Sequence, residues 1–288
     1  KAAPNQNYAR EIMELHTLGV DGGYTQDDVA ELSRVLTGWT FDSKSGAFVF
    51  NATQHDTGNK TVLGNTITGV SGADGVNEGE KMLNVLATHP STAQFIAAKM
   101  LRWMLTPTPT DQQVSAIASV YRATGGDIKT MLRAILNDSW VPVAPMKLKR
   151  PFQYLVSALR STSPTITSIS PMNSQLNALG HPIFTWDTPD GFPDKMEYWA
   201  GNLVPRWAFG NSIANLNSTT TLAVDTTAYR AGSPANAVDL IDQNFFGGEI
   251  PASTKAAINT YISAGSFTDA RVREAIGLAI ASNGFQWY

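Results

Sequence analysis

The sequence predicts a mainly α-helical fold, a multi-helix orthogonal bundle with small β-hairpin insertions. Three observations support this prediction. Apolar residues recur at spacings of three and four along most of the 288-residue chain, as they do on the buried faces of helices. Capping boxes mark helix starts at Thr25 and Thr110. Alternation with a period of two, which is typical of strands, is confined to about residues 39–70.

The helical segments follow one another closely, and no boundary is sharp enough to divide the chain. The prediction is therefore a single helical domain over residues 1–288. Gly19 is expected to end the first helix, which begins near Asn7, and Thr25 begins the second. The remaining helices are predicted at about residues 78–88, 92–105, 110–123, 128–137, 147–161, 170–180, 207–216, 235–245, 251–264 and 268–282.

Two irregular segments interrupt this helical pattern. The insertion at about residues 39–70 is expected to contain two hairpins, one turning at Ser45-Gly46 and one at about residues 62–67. A loop at about residues 180–200 is dense in proline, glycine and aromatic residues. Structureless stretches of this kind in a compact domain are usually functional or linkers, and the aromatic residues argue against a linker.

Composition excludes several classes of function. The net charge is −3 and charged residues make up 16% of the chain, so neither nucleic acid nor an anionic membrane surface is expected as a partner. The chain has no cysteine, which excludes disulfides, thiolate metal sites and a cysteine nucleophile. No apolar stretch is long enough to span a membrane. The abundance of small polar residues is typical of exported bacterial proteins, and a start at Lys1 without methionine predicts a processed precursor that is secreted or periplasmic.

The first helix places a carboxylate where an apolar residue is expected. At 100° per residue, Tyr8, Ile12 and Leu18 share one arc with Glu11, while His16 lies at the edge of that arc. A carboxylate on a buried face must be paired, hydrogen-bonded or neutralised. Glu11 is therefore interpreted either as a member of a structural ion pair or as a functional acid.

A second group of candidates follows the first predicted hairpin. His55, Asp56 and Lys60 lie between the two hairpins, and hairpins inserted between helices often form the rim of a site. The alternative is that His55 and Asp56 only cap a turn. Both interpretations stay open at this point.

Two groups of cations are also candidates. Lys99 and Arg102 form one stripe on a helix whose remaining surface is mostly apolar, so they either face solvent or meet buried anions such as Glu11. Lys147, Lys149 and Arg150 cluster at the predicted start of another helix, where the helix dipole disfavours positive charge. Such a cluster indicates either a docked anion or a solvated basic end.

The aromatic residues of the 180–200 loop are candidates for binding a substrate. Trp186, Phe192 and Trp199, together with Trp207 beyond the loop, could line a cleft and stack on sugar rings or other flat groups. The alternative is an ordinary aromatic core.

The chain resembles the bacterial family catalogued as domain of unknown function 1800. The motifs that carry the resemblance run along almost the whole chain. They include Asn7-Tyr8-Ala9-Arg10-Glu11, Glu14-Leu15-His16-Thr17-Leu18-Gly19, Leu36-Thr37-Gly38-Trp39, His55-Asp56, His89-Pro90, Gly126-Asp127-Ile128 and Pro189-Asp190-Gly191-Phe192-Pro193-Asp194.

The resemblance implies an exported bacterial protein, often encoded beside another exported protein, and it supplies no established reaction. It also implies a helical segment before Lys1 that this chain lacks. That segment was removed, or it persists as a separate fragment that completes the core and is a partner of the chain.

Three hypotheses for function follow. The first is a hydrolase of polysaccharide or another polymer, with Glu11 as general acid and His16, His55 or Asp56 as base. Lys60, Lys99, Arg102 and the loop aromatics Trp186, Phe192 and Trp199 would then bind the substrate. This hypothesis requires the charged groups to open into a cleft.

The second hypothesis gathers Glu11, His16, His55 and Asp56 around one metal ion. Their spacing matches no ligand motif, so neither a metal nor another cofactor is predicted. The third is a non-catalytic cell-surface or assembly protein, in which Glu11, Lys99 and Arg102 form a buried ionic network. This last hypothesis requires charges that satisfy one another and are closed to solvent.

Overall fold

The computed structural model describes residues 3–218 and 220–288 and is 57% helical. It divides the chain into two compact units, the first ending at Pro145 and the second comprising Met146–Tyr288. In the described residues, the strands form only small two-stranded antiparallel sheets among fourteen helices. The predicted fold class, mainly α with small β-hairpin insertions, is confirmed.

The helices of the first unit begin where the sequence signals them. Thr25 accepts the backbone N–H of Asp28, whose carboxylate accepts the N–H of Thr25, and Thr110 and Gln113 form the same reciprocal cap. The helices are α1 (Gln6–Glu11), α2 (Gln26–Val35), α3 (Val76–Thr88), α4 (Pro90–Met104), α5 (Asp111–Thr124) and α6 (Ile128–Ile135).

The first helix changes its winding along its length. From Ile12 to Thr17 it continues as a π-helix, in which each N–H bonds to the carbonyl five residues earlier instead of four. The prediction of one regular helix, turning 100° per residue, is therefore wrong beyond Glu11. Because the π-helix turns less per residue, Leu18 lies on the same side as Met13, and both are buried.

The insertion forms the two predicted hairpins. Strand β1 (Trp39–Phe41) pairs with β2 (Phe48–Phe50), and β3 (Lys60–Val62) pairs with β4 (Asn65–Ile67). Leu63 and Gly64 both have positive φ, which is the backbone of a type I′ hairpin turn. A 3-10 turn, Gly72–Gly75, then leads into α3.

The first unit has two apolar clusters. One joins the first helix, α2, the β3-β4 hairpin and α3, with Met13, Leu32, Val62 and Met82 fully buried. The other joins α4, α5 and α6 and includes Ala97, Leu101, Ile117 and Met131. On α4 the buried face is narrow, because Trp103 and Met104 are exposed. The mostly apolar surface of this helix is therefore not fully covered.

The second unit is built around one cluster with Tyr154, Phe209, Ile276 and Phe285 in its interior. Its helices are α7 (Pro151–Thr162), α8 (Ser170–Ala178), α9 (Met196–Trp199), α10 (Leu203–Asn215), α11 (Thr227–Arg230), α12 (Pro234–Phe246), α13 (Ala252–Ser263) and α14 (Asp269–Ala281). Strands β5 (Thr165–Ile166) and β6 (Leu222–Ala223) pair outside the insertion, in segments for which no strand is predicted.

Helix α7 begins four residues later than the sequence predicts. Pro151 is its first residue, and Arg150 before it has extended backbone angles, as residues before proline do. The preceding segment forms a β-bridge instead, in which the Lys147 N–H donates to the Tyr288 carbonyl and the Lys149 N–H donates to the Gln286 carbonyl, at 2.9 and 2.8 Å. The predicted cation cluster at a helix start is therefore not formed.

Within the described residues, none of the helices is both long and apolar enough to cross a membrane.

Candidate functional site

A buried carboxylate joins the insertion to α3. Glu78, in the first turn of α3, is 3% exposed, and its Oε2 lies 2.5 Å from the Lys60 ammonium on β3. Its Oε1 accepts the Val70 N–H at 2.7 Å and lies 3.2 Å from Nε2 of His55. The Lys60 ammonium also donates to the Asp56 carbonyl. Both carboxylate oxygens are thus engaged with groups of the insertion.

The His55 imidazole is oriented from its other nitrogen. Nδ1 lies 2.8 Å from the Thr37 carbonyl oxygen, which can only accept, so Nδ1 carries a proton. The ring is 1% exposed and packs edge-on against Phe50, with ring centroids 5.4 Å apart. Nε2 approaches Glu78 without the alignment of a hydrogen bond. We call Glu78, Lys60, His55 and Thr37 the Glu78 network.

Two glycines allow the insertion to approach α3 closely. A Cβ at Gly75 would lie 2.7 Å from Cδ2 of His55, and a Cβ at Gly79 would lie 2.3 Å from the Trp39 ring. Real Cβ atoms do not come this close to other atoms, so the contact requires glycine, which has no Cβ, at both positions. Glu78 lies between these glycines and completes the contact with an ion pair.

Asp56 is held outside the buried network by Arg34 of α2. The guanidinium contacts both carboxylate oxygens, with Nε at 3.2 Å from Oδ2 and Nη2 at 3.3 Å from Oδ1. Together with the Gly58 N–H, which Oδ1 accepts at 2.8 Å, this partner lowers the pKa of Asp56 to about 2. Asp56 is therefore an ionised anchor that caps a turn, and it lacks the raised pKa that a general acid needs.

Two carboxylates of α2 fix the second hairpin. Glu31 accepts the Thr61 N–H at 3.1 Å and also pairs with Arg34 at 2.7 Å. Asp28 accepts the Leu63 N–H at 2.6 Å. The insertion is thus bound to α2 and α3 by charged groups on both helices.

Glu11 and His16 are exposed, so the prediction that Glu11 lies on a buried face is wrong. The residues that face the core are Ala9, Ile12 and Met13. The predicted arc was displaced because Tyr8, taken as its apolar reference, is itself 43% exposed. No hydrogen bond or ion pair of the described residues joins Glu11 or His16 to the Glu78 network.

Lys99 and Arg102 are also exposed on α4. The Lys99 ammonium donates to the Leu15 carbonyl at 3.3 Å and lies 4.8 Å from the centroid of the Phe95 ring. The Lys99 side chain thus contacts the backbone of the π-helix. The predicted buried network of Glu11, Lys99 and Arg102 is wrong, because all three side chains reach solvent.

The loop aromatics of the second unit gather around His181. Its ring lies 4.3 Å from Phe192 and is stacked on Trp199 at 5.1 Å, while Trp186 lies 4.6 Å from Phe192. Trp199 is 2% exposed and donates its indole N–H to the Pro193 carbonyl at 2.8 Å, so it is a core residue. Trp186 and Phe192 are half-buried. Burial, and to a smaller extent the nearby Arg150 charge, lowers the pKa of His181 to about 4.

The basic cluster of the second unit is largely internal. Lys147 pairs with Asp194 at 2.7 Å, and the Lys149 ammonium donates to the Phe285 carbonyl at 2.8 Å. Burial lowers the pKa of Lys149 to about 8. Arg206, which is 1% exposed, donates to the Lys149 carbonyl and to the Gln286 side chain at 2.7 and 2.9 Å. These cations fasten the chain around residues 286–288.

Sequence reasoning missed Glu78 and Arg206. For Glu78 a signal was present, because Glu78, Met82 and Leu86 are spaced by four and therefore share the buried face of α3. Arg206 is followed at spacings of three, four and seven by the buried Phe209, Gly210 and Ile213. In both helices a charged residue stands at an apolar position of the repeat.

The metal hypothesis requires several histidine or acidic side chains around one ion. In the described part of the chain, no three such side chains converge as metal ligands would.

Comparison with known proteins gives one match. No curated protein and no solved structure matches the chain. A family model described as "Protein of unknown function (DUF1800)" matches residues 1–287, which is nearly the full length of both units together. The chain therefore belongs to the DUF1800 family.

Proposed function

We propose that this chain is a non-catalytic extracellular assembly or binding protein, with polysaccharide as its class of partner. The observation that supports the proposal is the closure of the Glu78 network. Its ionisable side chains, Glu78, Lys60 and His55, are between 1% and 3% exposed. A general acid or base must come within hydrogen-bond reach of its substrate, and these groups are buried between the insertion and α3.

The partners of the network also support a structural role. Glu78 is engaged at both oxygens, and the His55 ring is fixed by the Thr37 carbonyl. Buried charges that satisfy one another hold the register of the elements they join. In this chain they join β3 and the preceding loop to α3.

We also infer that the protein is exported. The inference is supported by the abundance of small polar residues at a charged fraction of only 16%, a composition typical of exported bacterial proteins. A neighbouring exported protein stays a predicted partner.

The proposal is tested by measuring the release of new chain ends from a panel of bacterial and plant polysaccharides. The wild type is expected to release none, while sedimenting with at least one of the insoluble polymers. A His55→Gln variant is expected to lose stability without any change in that binding. Release of chain ends by the wild type would overturn the proposal.

A second candidate function, hydrolysis of a polymer, is favoured by the π-helix. π-helical segments are rare and occur frequently at functional sites. Ile12–Thr17 is such a segment; the exposed Glu11 immediately precedes it, and the exposed His16 lies within it. An acid and a base that both reach solvent from one helix are compatible with acid–base chemistry.

Substitution of Glu11 decides between the two candidates. If the chain is a hydrolase at this site, Glu11→Gln abolishes chain-end release while the melting temperature stays unchanged, because Glu11 is exposed. The matched control is Glu80→Gln, which changes a glutamate that is also exposed, on α3. Equal activity in both variants would remove Glu11 from the catalytic role.

A further inference from the structure

The surface of the second unit carries an open groove of about 560 Å³ between α10, α13 and α14. Ligand pockets in proteins commonly enclose about 300–1,000 Å³. The groove arises where α10 crosses α14 at small residues. A Cβ at Gly210 would lie only 3.0 Å from the Gly277 carbonyl oxygen, so the two backbones are nearly in contact. The groove is lined by the small residues Gly277 and Ala281 and by larger side chains that include Trp207 and Leu278.

One wall of the groove is an exposed aromatic platform. Trp207 projects from α10 and is 54% exposed, and Leu278 on α14 is 44% exposed. Two positions later on α10, Phe209 is completely buried, so the helix directs one aromatic residue into the core and keeps the other in solvent. Covering a large, solvent-exposed indole with a flat partner that carries C–H groups is favourable, because it removes apolar surface from water.

The other lining groups are polar and suited to hydroxyl groups. Asn211, Tyr261, Glu274 and Ser282 line the same groove as Trp207. The Tyr261 hydroxyl donates to Oε2 of Glu274 and so positions this carboxylate. An ionised carboxylate has about four acceptor positions, so Glu274 can still accept hydrogen bonds from the hydroxyls of a ligand.

The charge of the lining narrows the class of ligand. Glu274 is the one charged residue among the eight described residues that line the groove. A carboxylate without a cation in the lining repels uronic acids and phosphorylated ligands. It accepts strong hydrogen bonds from the hydroxyls of a neutral sugar.

From this arrangement we propose that the groove binds a neutral sugar unit of a glycan chain, with Trp207 stacked on the ring and Glu274 and Asn211 bound to its hydroxyls. The groove is open to solvent, so a ligand that fills it can extend beyond the bound unit. The inference rests on the proposed binding role and gives that role a site and a class of ligand.

The test is sedimentation with insoluble neutral glycans, namely cellulose, chitin and a β-glucan, at several protein concentrations. Trp207→Ala is expected to weaken binding by at least about tenfold, which corresponds to about 1.4 kcal/mol. Glu274→Gln is expected to weaken it less, because one carboxylate contact becomes an amide contact. Trp103→Ala is the matched control, since Trp103 in the first unit is also 54% exposed.

Three results would overturn the inference. If Trp207→Ala binds as tightly as the wild type, the glycan site lies elsewhere while the binding role stands. If the wild type binds none of the three glycans, the groove has no neutral glycan ligand. If light scattering shows a wild-type dimer that Trp207→Ala converts to a monomer, the groove is an interface between copies of the chain. The release of chain ends, measured separately, reports on the proposed non-catalytic role.

Discussion

The Lys60 ammonium and the Glu78 carboxylate meet at 2.5 Å, and their side chains are 0% and 3% exposed. Ion pairs at a protein surface contribute little to stability because water competes for both partners. At this position water is excluded, so each charge depends on the other.

Glu78→Gln is expected to lower the free energy of unfolding by about 3–5 kcal/mol, because it leaves the Lys60 charge buried without its counter-ion. Unfolding in urea, followed by circular dichroism, measures the change. Glu80→Gln, on the exposed face of the same helix, is the control and is expected to change stability by less than about 0.5 kcal/mol. A double variant, Lys60→Met with Glu78→Leu, is expected to recover part of the loss. Equal stability of the two glutamine variants would show that the pair contributes nothing.

Gly79→Ala is expected to destabilise the first unit by about 1–3 kcal/mol, since the new Cβ would lie 2.3 Å from the Trp39 ring. Elsewhere in a helix the same substitution is favourable by up to about 1 kcal/mol. Asn77→Ala, at an exposed position in the same turn of α3, is the control. Thermal melting distinguishes them, and a Gly79→Ala variant that melts above the wild type would contradict the close approach.

Asp56→Asn is expected to remove a dependence of stability on acid pH. The pKa of Asp56 is lowered from 3.8 to about 2, chiefly by Arg34, so its contribution is complete above about pH 4 and is lost as the pH falls toward 2. At pH 7 the variant should lose about 1–2 kcal/mol, a range that allows for partial screening by solvent. Urea unfolding at pH 7, 4 and 2.5 tests this, with the exposed Asp74→Asn as control. Parallel pH profiles of the wild type and Asp56→Asn would disprove the assignment.

His181→Phe is expected to weaken the dependence of stability on pH between about pH 4 and pH 6.5, above the range in which Asp56 acts. The folded-state pKa of His181, about 4, lies below its ordinary value of 6.5, so the unfolded chain binds the proton first. Stability is therefore complete above about pH 6.5 and falls as the pH decreases toward 4. The melting temperature of the wild type should fall between pH 7 and pH 5 by more than that of the variant, which retains an aromatic ring against Trp199. Equal falls in the two proteins would exclude His181 as the source.

Local signals predicted most of the helices because they act over a few residues. The capping boxes at Thr25 and Thr110 and the turn glycine Gly46 each fix a backbone conformation by short-range contacts. These contacts are present in the sequence itself, so the helix starts and the first hairpin could be predicted.

The candidate site could be predicted only in part. His55, Asp56 and Lys60 were recognised as a group, but their shared partners, Glu78 and Arg34, lie on two different helices. Which helix covers the insertion is decided by tertiary packing, which no local pattern encodes. Glu11 was misplaced for a different reason, since Tyr8, the apolar reference of the projection, is itself 43% exposed. Leu18, another member of the predicted arc, also follows a π-helix that turns by a smaller angle per residue.

The pairing of residues 147–149 with residues 286–288 makes the order of synthesis important. The Lys149 ammonium binds a carbonyl that lies 136 residues further along the chain. A growing chain leaves the ribosome from its N-terminal side, so the segment around Lys149 emerges long before the segment that it binds has been made. Until then the apolar surface around Tyr154 lacks Phe285. In the finished unit the centroids of the Tyr154 and Phe285 rings lie 5.9 Å apart. We therefore expect the second unit to be vulnerable to aggregation during translation and to close only after Tyr288 has been made.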